Sequence, residues 1–286
     1  MTKKYELLKN DFITLEGHTL YRIKALRDFC NVRDGDLGGY IESENNLSHD
    51  DDCWVRNDAK VYGNATVRDN ASIAHYASVF DSAVVRDNAL VEENAKVYDN
   101  AHILNYARVS GDARVFGNAE VSDNVEIEGE PFIYGSAIIQ DYAYICGNAR
   151  ICGMANIMDV SWVKGHAQIY DNGKVCGTGV VQDNAIVRKD GIVFNNGIVS
   201  GDGLIENPHN IIIIPMHQVN VPTPQYISMY KNVNGEIMVT TNSCECPVNL
   251  FIDKIVDTFY FDNKDDVNKQ NLVSSLEEAM ITLSQQ

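Results

Sequence analysis

The side chains of this 286-residue chain that could do chemistry fall into four groups: three histidines, a column of aspartates, a pair of cysteines, and a column of aromatic and basic residues. His75, His102 and His166 could each serve as a general base, because imidazole titrates near neutral pH. Asp69, Asp87, Asp123, Asp141 and Asp159 recur at multiples of 18 residues, with Asn105 filling the gap. Such a row could hold cations, and it is equally what a stack of tight turns would require. Cys244-Glu245-Cys246 could place two thiols on one face of a strand, short of the four ligands of a structural metal site. The seven cysteines show no paired framework, which suits unpaired thiols in a reducing compartment. No cofactor and no metal is expected.

The fourth group carries the most information. Tyr62, Phe80, Tyr98, Phe116, Tyr134 and Tyr170 lie on one 18-residue register, which also includes Cys152 and Arg188. Two residues before each rung stand Lys60, Ser78, Lys96, Arg114, Phe132 and Arg150, so basic groups flank the aromatics in a chain of net charge −17. Three readings stay open: a stacked ladder that stabilises its own strands, an interface with a second copy or a partner, and a surface on which a ligand stacks.

These registers need an element that returns to the same face every 18 residues, and the sequence contains one. From Ala59 to Pro208 the chain divides into twenty-five hexads without insertion or deletion. The third position is Val or Ile in all twenty-five, and the first is Ala in seventeen and Gly in five. A β-branched residue every sixth position suits a short strand with one inward side chain. A small residue beside it suits a tight corner. The fifth and sixth positions favour Gly, Asp and Asn, which tolerate left-handed backbone angles. Three hexads make one triangular coil, and coils stack at the strand spacing of about 4.8 Å. His75 and His166 then share a face five coils apart, about 24 Å, and His102 lies on another.

The spacing of an aliphatic residue and a small one four positions later, as in Val61 to Ala65 and Val67 to Ala71, resembles the hexapeptide-repeat superfamily. That resemblance implies a left-handed parallel β-helix and, for its transferases, a histidine base at a cleft between subunits of a homotrimer. The tyrosines, arginines and phenylalanines that follow the aliphatic residue depart from the transferase pattern, and no loop leaves the repeat to build an acyl-donor site. More narrowly, Leu20–Phe29, Gly35–Glu42 and Asn46-Leu47-Ser48 resemble the start of bacterial and phage proteins of unassigned function that are labelled hexapeptide transferases. Phage or prophage origin would bring a role in manipulating the host.

The fold expected is therefore an all-β solenoid with caps at its ends. Residues 1–58 are read as an N-terminal β cap with a hairpin around Glu16-Gly17-His18, 59–208 as the β-helix, 209–225 as a linker, and 226–286 as a small α+β unit. That unit holds a hairpin at Asn234-Gly235 and helices over 249–259 and 266–283. Val180, Ile186, Ile192, Ile198 and Leu204 face outward and need a cover, either this unit or another subunit.

The charge is dispersed, −4 in 1–58, −8 in 59–208 and −5 in 209–286. It argues against direct binding to nucleic acid or an anionic membrane. No apolar run approaches the roughly 20 residues of a membrane span, and the N-terminus lacks the core of a signal peptide. A cytoplasmic location is expected. Three functions remain in view. The first is a non-catalytic binding or scaffold solenoid, homo-oligomeric with a trimer favoured, that meets a host protein or small molecule as an inhibitor or sequestering protein. The others are an acyltransferase at trimer clefts using one of the histidines, and an acidic mimic of nucleic acid.

Overall fold

The computed structural model describes residues 3–216, 225–242, 244–258 and 265–286. It divides into two compact units, Met1–Met158 and Asp159–Gln286. Both contain stacked parallel coils of 18 residues, so the chain is a β-solenoid.

In the first unit each hexad forms one two-residue strand. Lys60–Val61, Ser78–Val79, Lys96–Val97, Arg114–Val115, Phe132–Ile133 and Arg150–Ile151 pair in parallel on the first face, always in an 18-residue register. The second face runs from Thr66–Val67 to Asn156–Ile157, and the third from Trp54–Val55 to Tyr144–Ile145. The core consists of the first and third hexad positions: Ala59, Val61, Ala65 and Val67 are fully buried, and so are their equivalents up the coil.

The corners explain the sequence rule. From Asn57 to Gly201 every sixth residue has a positive φ. The first residue of a hexad closes the turn by donating its N–H to the carbonyl four positions into the preceding hexad, as Ala71 does to Arg68. That turn leaves the fifth-position N–H without a backbone acceptor, and where the residue one coil earlier is Asp, Glu or His its side chain supplies one. Asp69 accepts from Asp87 N at 3.1 Å, Asp87 from Asn105 N at 3.2 Å, and Asp123 from Asp141 N at 3.3 Å. The aspartate column thus satisfies backbone donors that burial would otherwise penalise. Sixth-position amides add a second ladder, as in Asn70 to Asn88 and Asn100 to Asn118.

The N-terminal segment is hydrogen-bonded into the first face. Strand β1 (Tyr5–Leu15) pairs antiparallel with β2 (His18–Ala25) through Glu16 and Gly17, both with positive φ, and a bulge interrupts the pairing between Leu8 and Phe12. β2 pairs with β3 (Leu37–Ile41), which runs parallel to Lys60–Val61. β3, the bridge of Leu47 to Val67, and Trp54–Val55 form an irregular first coil, so the solenoid begins before Ala59. Lys4, fully buried, fixes this end: its ammonium donates to the carbonyls of Asp50, Asp51 and Cys53.

In the second unit, Gln168–Ile169, Ile186–Val187 and Leu204–Ile205 stack on one face, Trp162–Val163, Val180–Val181 and Ile198–Val199 on another, and Lys174–Val175 with Ile192–Val193 on the third. The expected linker is corrected here. Ile211–Met216 is a strand, pairing antiparallel with Gln225–Lys231, which pairs in turn with Ile237–Thr240 and then Glu245–Pro247. Pro215 is tolerated because its strand is the edge of the sheet. Helices α1 (Val248–Thr258) and α2 (Asp265–Ser284) accompany this sheet, and Ile227, Met229, Val239, Phe251, Leu276 and Leu283 form their common core. Residues 217–224 and Phe259, which the sequence reading assigned to linker and helix, lie outside the described residues. The last coil docks on the sheet through Tyr230, whose hydroxyl accepts from Ser200 N at 3.0 Å. The outward residues Val180, Ile186, Ile192, Ile198 and Leu204 are half-buried.

Candidate functional site: the aromatic and basic face

In the first unit the aromatic register is a continuous stack. Tyr62, Phe80, Tyr98, Phe116 and Tyr134 follow one another at centroid distances of 5.0, 4.9, 4.8 and 4.9 Å, with interplanar angles of 7° or less. The coil sets this spacing, and it exceeds the contact thickness of two rings, so the rings lean into an offset stack.

These aromatics are not exposed: Phe80, Tyr98, Phe116 and Tyr134 are half-buried, and Tyr62 is 5% exposed. Leu20 and Tyr40 pack against Tyr62, and the His18 ring lies 5.2 Å from it. Burial, with Glu16 and Asp81 nearby, pushes the Tyr62 phenol up to about 12. Tyr134 at the other end is also raised, first by its hydrogen bond with Cys152 and then by burial. Each inner ring has both faces covered by its neighbours, so this column offers outward its ring edges and phenol oxygens. In the second unit, Tyr170 accepts at its hydroxyl from Arg188 Nη1 at 3.2 Å.

The basic residues beside the ladder differ from one another. Lys60 is half-buried, donates to the Asp58 carbonyl at 2.9 Å, and is held below its ordinary pKa by burial. Lys96, Arg114 and Arg150 are exposed. Arg114 and Arg150 approach the Phe132 ring at 5.1 and 5.9 Å, a cation–π arrangement that orders both guanidinium groups. Arg22, Arg86, Arg108 and Arg188 pair with carboxylates. Among the described residues Lys96, Arg114 and Arg150 make no ion pair.

The histidines are not brought together. His75 sits at a corner with φ of 57°, and its Nδ1 accepts from Glu93 N at 3.3 Å, the role that aspartates play elsewhere. His102 lies on the second face between Val84 and Glu120. His166 is an exposed corner residue of the second unit whose N–H donates to the Asp183 carbonyl. Cys244 is exposed, Cys246 is half-buried, and among the described residues no group of three or more His, Cys, Asp or Glu could hold a metal ion.

The sequence reading missed a depression on the third face. It encloses about 460 Å³ and is lined by Arg108, Ser110, Glu126, Glu128 and Cys146 over the corner glycines Gly111, Gly129 and Gly147. Arg108 pairs with Glu92, and the Tyr144 hydroxyl donates to Glu128, which raises the Tyr144 phenol well above its ordinary range. The hollow exists because side chains are missing at the glycines and short at Ser110. Three glycines at 18-residue intervals were its only sequence signal. Compared with known proteins, the chain matches no family model and no curated sequence. Among the described residues no helix is long and apolar enough to cross a membrane.

Proposed function

We propose that the chain is a non-catalytic binding or scaffold protein whose rigid solenoid presents the aromatic and basic face to a partner. The observation that carries the reading is the column of exposed cations Lys96, Arg114 and Arg150, which make no ion pair among the described residues and line up along a stacked aromatic ladder within an acidic chain. Unpaired like charges on one ordered surface repel each other. A complementary surface relieves that repulsion and gains specificity and association rate. The corner geometry supports the same reading, because it commits His75 and the aspartates to backbone hydrogen bonds. The sequence resemblance to phage proteins makes an inhibitor or sequestering role against a host protein the natural setting. A homotrimer is the assembly we favour.

The test is a thermal-shift titration of the full chain with acetyl-CoA, alongside light scattering. The reading expects no acyl-CoA-dependent stabilisation. Stabilisation that vanishes in His102→Ala or His166→Ala would replace it with an acyltransferase at subunit clefts.

A further inference from the structure

The strip on the first face has a pitch, a charge sequence and an aromatic border, and together these describe a particular occupant. Along the coil axis it reads cation, cation, ring, cation: Lys96, Arg114, Phe132, Arg150. On one side lie the half-buried ring edges of Tyr98, Phe116 and Tyr134, with the phenol oxygens of the two tyrosines among them. On the other side, at the corner preceding each strand, lie Asn94, Asp112, Glu130 and Asn148. The strip is therefore basic at its centre, aromatic on one flank and acidic on the other.

We propose that this strip docks an acidic amphipathic α-helix of a partner protein. The proposal rests on the binding reading above and names the partner's chemistry. An α-helix advances about 5.4 Å per turn, against a coil pitch of about 4.8 Å. One carboxylate per helical turn keeps step with the cations, drifting by only about 2 Å over the strip, within the reach of Lys and Arg stems. An apolar stripe beside the carboxylates falls on the ring edges, and an apolar residue in the acidic stripe falls on Phe132. The orientation is fixed by repulsion, because Asp112 and Glu130 reject carboxylates placed on their side. A dense polyanion such as DNA has no means of avoiding those two residues.

The probe is a fluorescently labelled helical peptide of about 16 residues, with glutamates on one stripe and leucines on the adjacent one. It is titrated against the full chain by anisotropy. The expected result is saturable, salt-weakened binding that falls at least tenfold in R114E/R150E and is unchanged in the charge-matched control R68E/K174E, which alters exposed cations on another face and in the second unit. R114Q/R150Q is measured alongside, so that a folding failure of the reversal leaves a readable variant. The proposal is overturned by no binding, by equal binding of an isomer with scattered glutamates or of single-stranded DNA of equal charge, or by equal loss in the control. Any of these leaves the broader binding reading standing, which fails instead in the acyl-CoA titration.

Discussion

Truncating Phe116 to Ala tests whether the aromatic column holds the solenoid together. Phe116 is an inner rung of its unit's ladder, 4.8 Å from Tyr98 and 4.9 Å from Tyr134. The substitution removes two offset stacks, each worth about 0.5–1.5 kcal/mol beyond area burial. Returning the half-buried ring to water in the reference state adds about 1 kcal/mol. We expect a loss of about 2–4 kcal/mol in unfolding free energy, measured by urea titration with circular dichroism. Phe116→Tyr should stay within about 0.5 kcal/mol of the parent, because Tyr already fills alternate rungs. A double-mutant cycle with Tyr98→Ala should give a coupling of about 0.5–1.5 kcal/mol. A cost below about 1 kcal/mol with no coupling would refute the reasoning. The rings would then contribute no more than ordinary surface residues, and the register would need a partner to explain it.

Three further outcomes follow from the same structure. Gly111→Ala places a Cβ 2.3 Å from the Gly129 carbonyl oxygen at φ of 72°, whereas Gly17→Ala at φ of 89° meets nothing within 4 Å. Gly111→Ala should therefore lower unfolding free energy in urea by about 1–3 kcal/mol more than Gly17→Ala. Tyr230→Phe leaves Ser200 N without its buried acceptor and takes one of two hydroxyl partners from Thr240 Oγ1, which keeps Ser200 Oγ. It should cost about 1–3 kcal/mol, visible as a lower Tm. Glu245 is raised above the ordinary carboxyl range by burial and by Asp183 and Asp202, so its contribution to stability is present at low pH and lost as pH rises through its folded value. Glu206, lowered by Lys189 and Arg188, acts in the opposite sense and loses its contribution as pH falls. Urea midpoints measured upward from about pH 4.5 should decline less with pH in Glu245→Gln than in the parent, and a parallel decline would refute the assignment.

Much of the solenoid was legible because its period is local. A hexad with Val or Ile third and Ala or Gly first states both which side chain points inward and how much room it has. The preference for Gly, Asp and Asn at the fifth position announced the left-handed corner angle seen from Asn57 to Gly201. The strand Ile211–Met216 was not legible. Four isoleucines before a proline show no alternation, and the strand's partner lies beyond the prolines at 222 and 224.

The sequence by itself determined the coil, its corners and the residues that share a register, because each depends on neighbours within six or eighteen positions. Only the tertiary structure decided how those registers are buried, paired and charged. It buried Tyr62 beneath Leu20 and Tyr40, residues that β2 and β3 bring from far up the chain. It turned the aromatic column into a stack with its faces covered, and gave the Asp and His75 side chains to backbone donors one coil away. It left Lys96, Arg114 and Arg150 exposed and, among the described residues, without an ion pair in an acidic molecule. Periodicity specifies which residues are neighbours. Pairing, burial and charge balance depend on distances, and only the folded chain sets those.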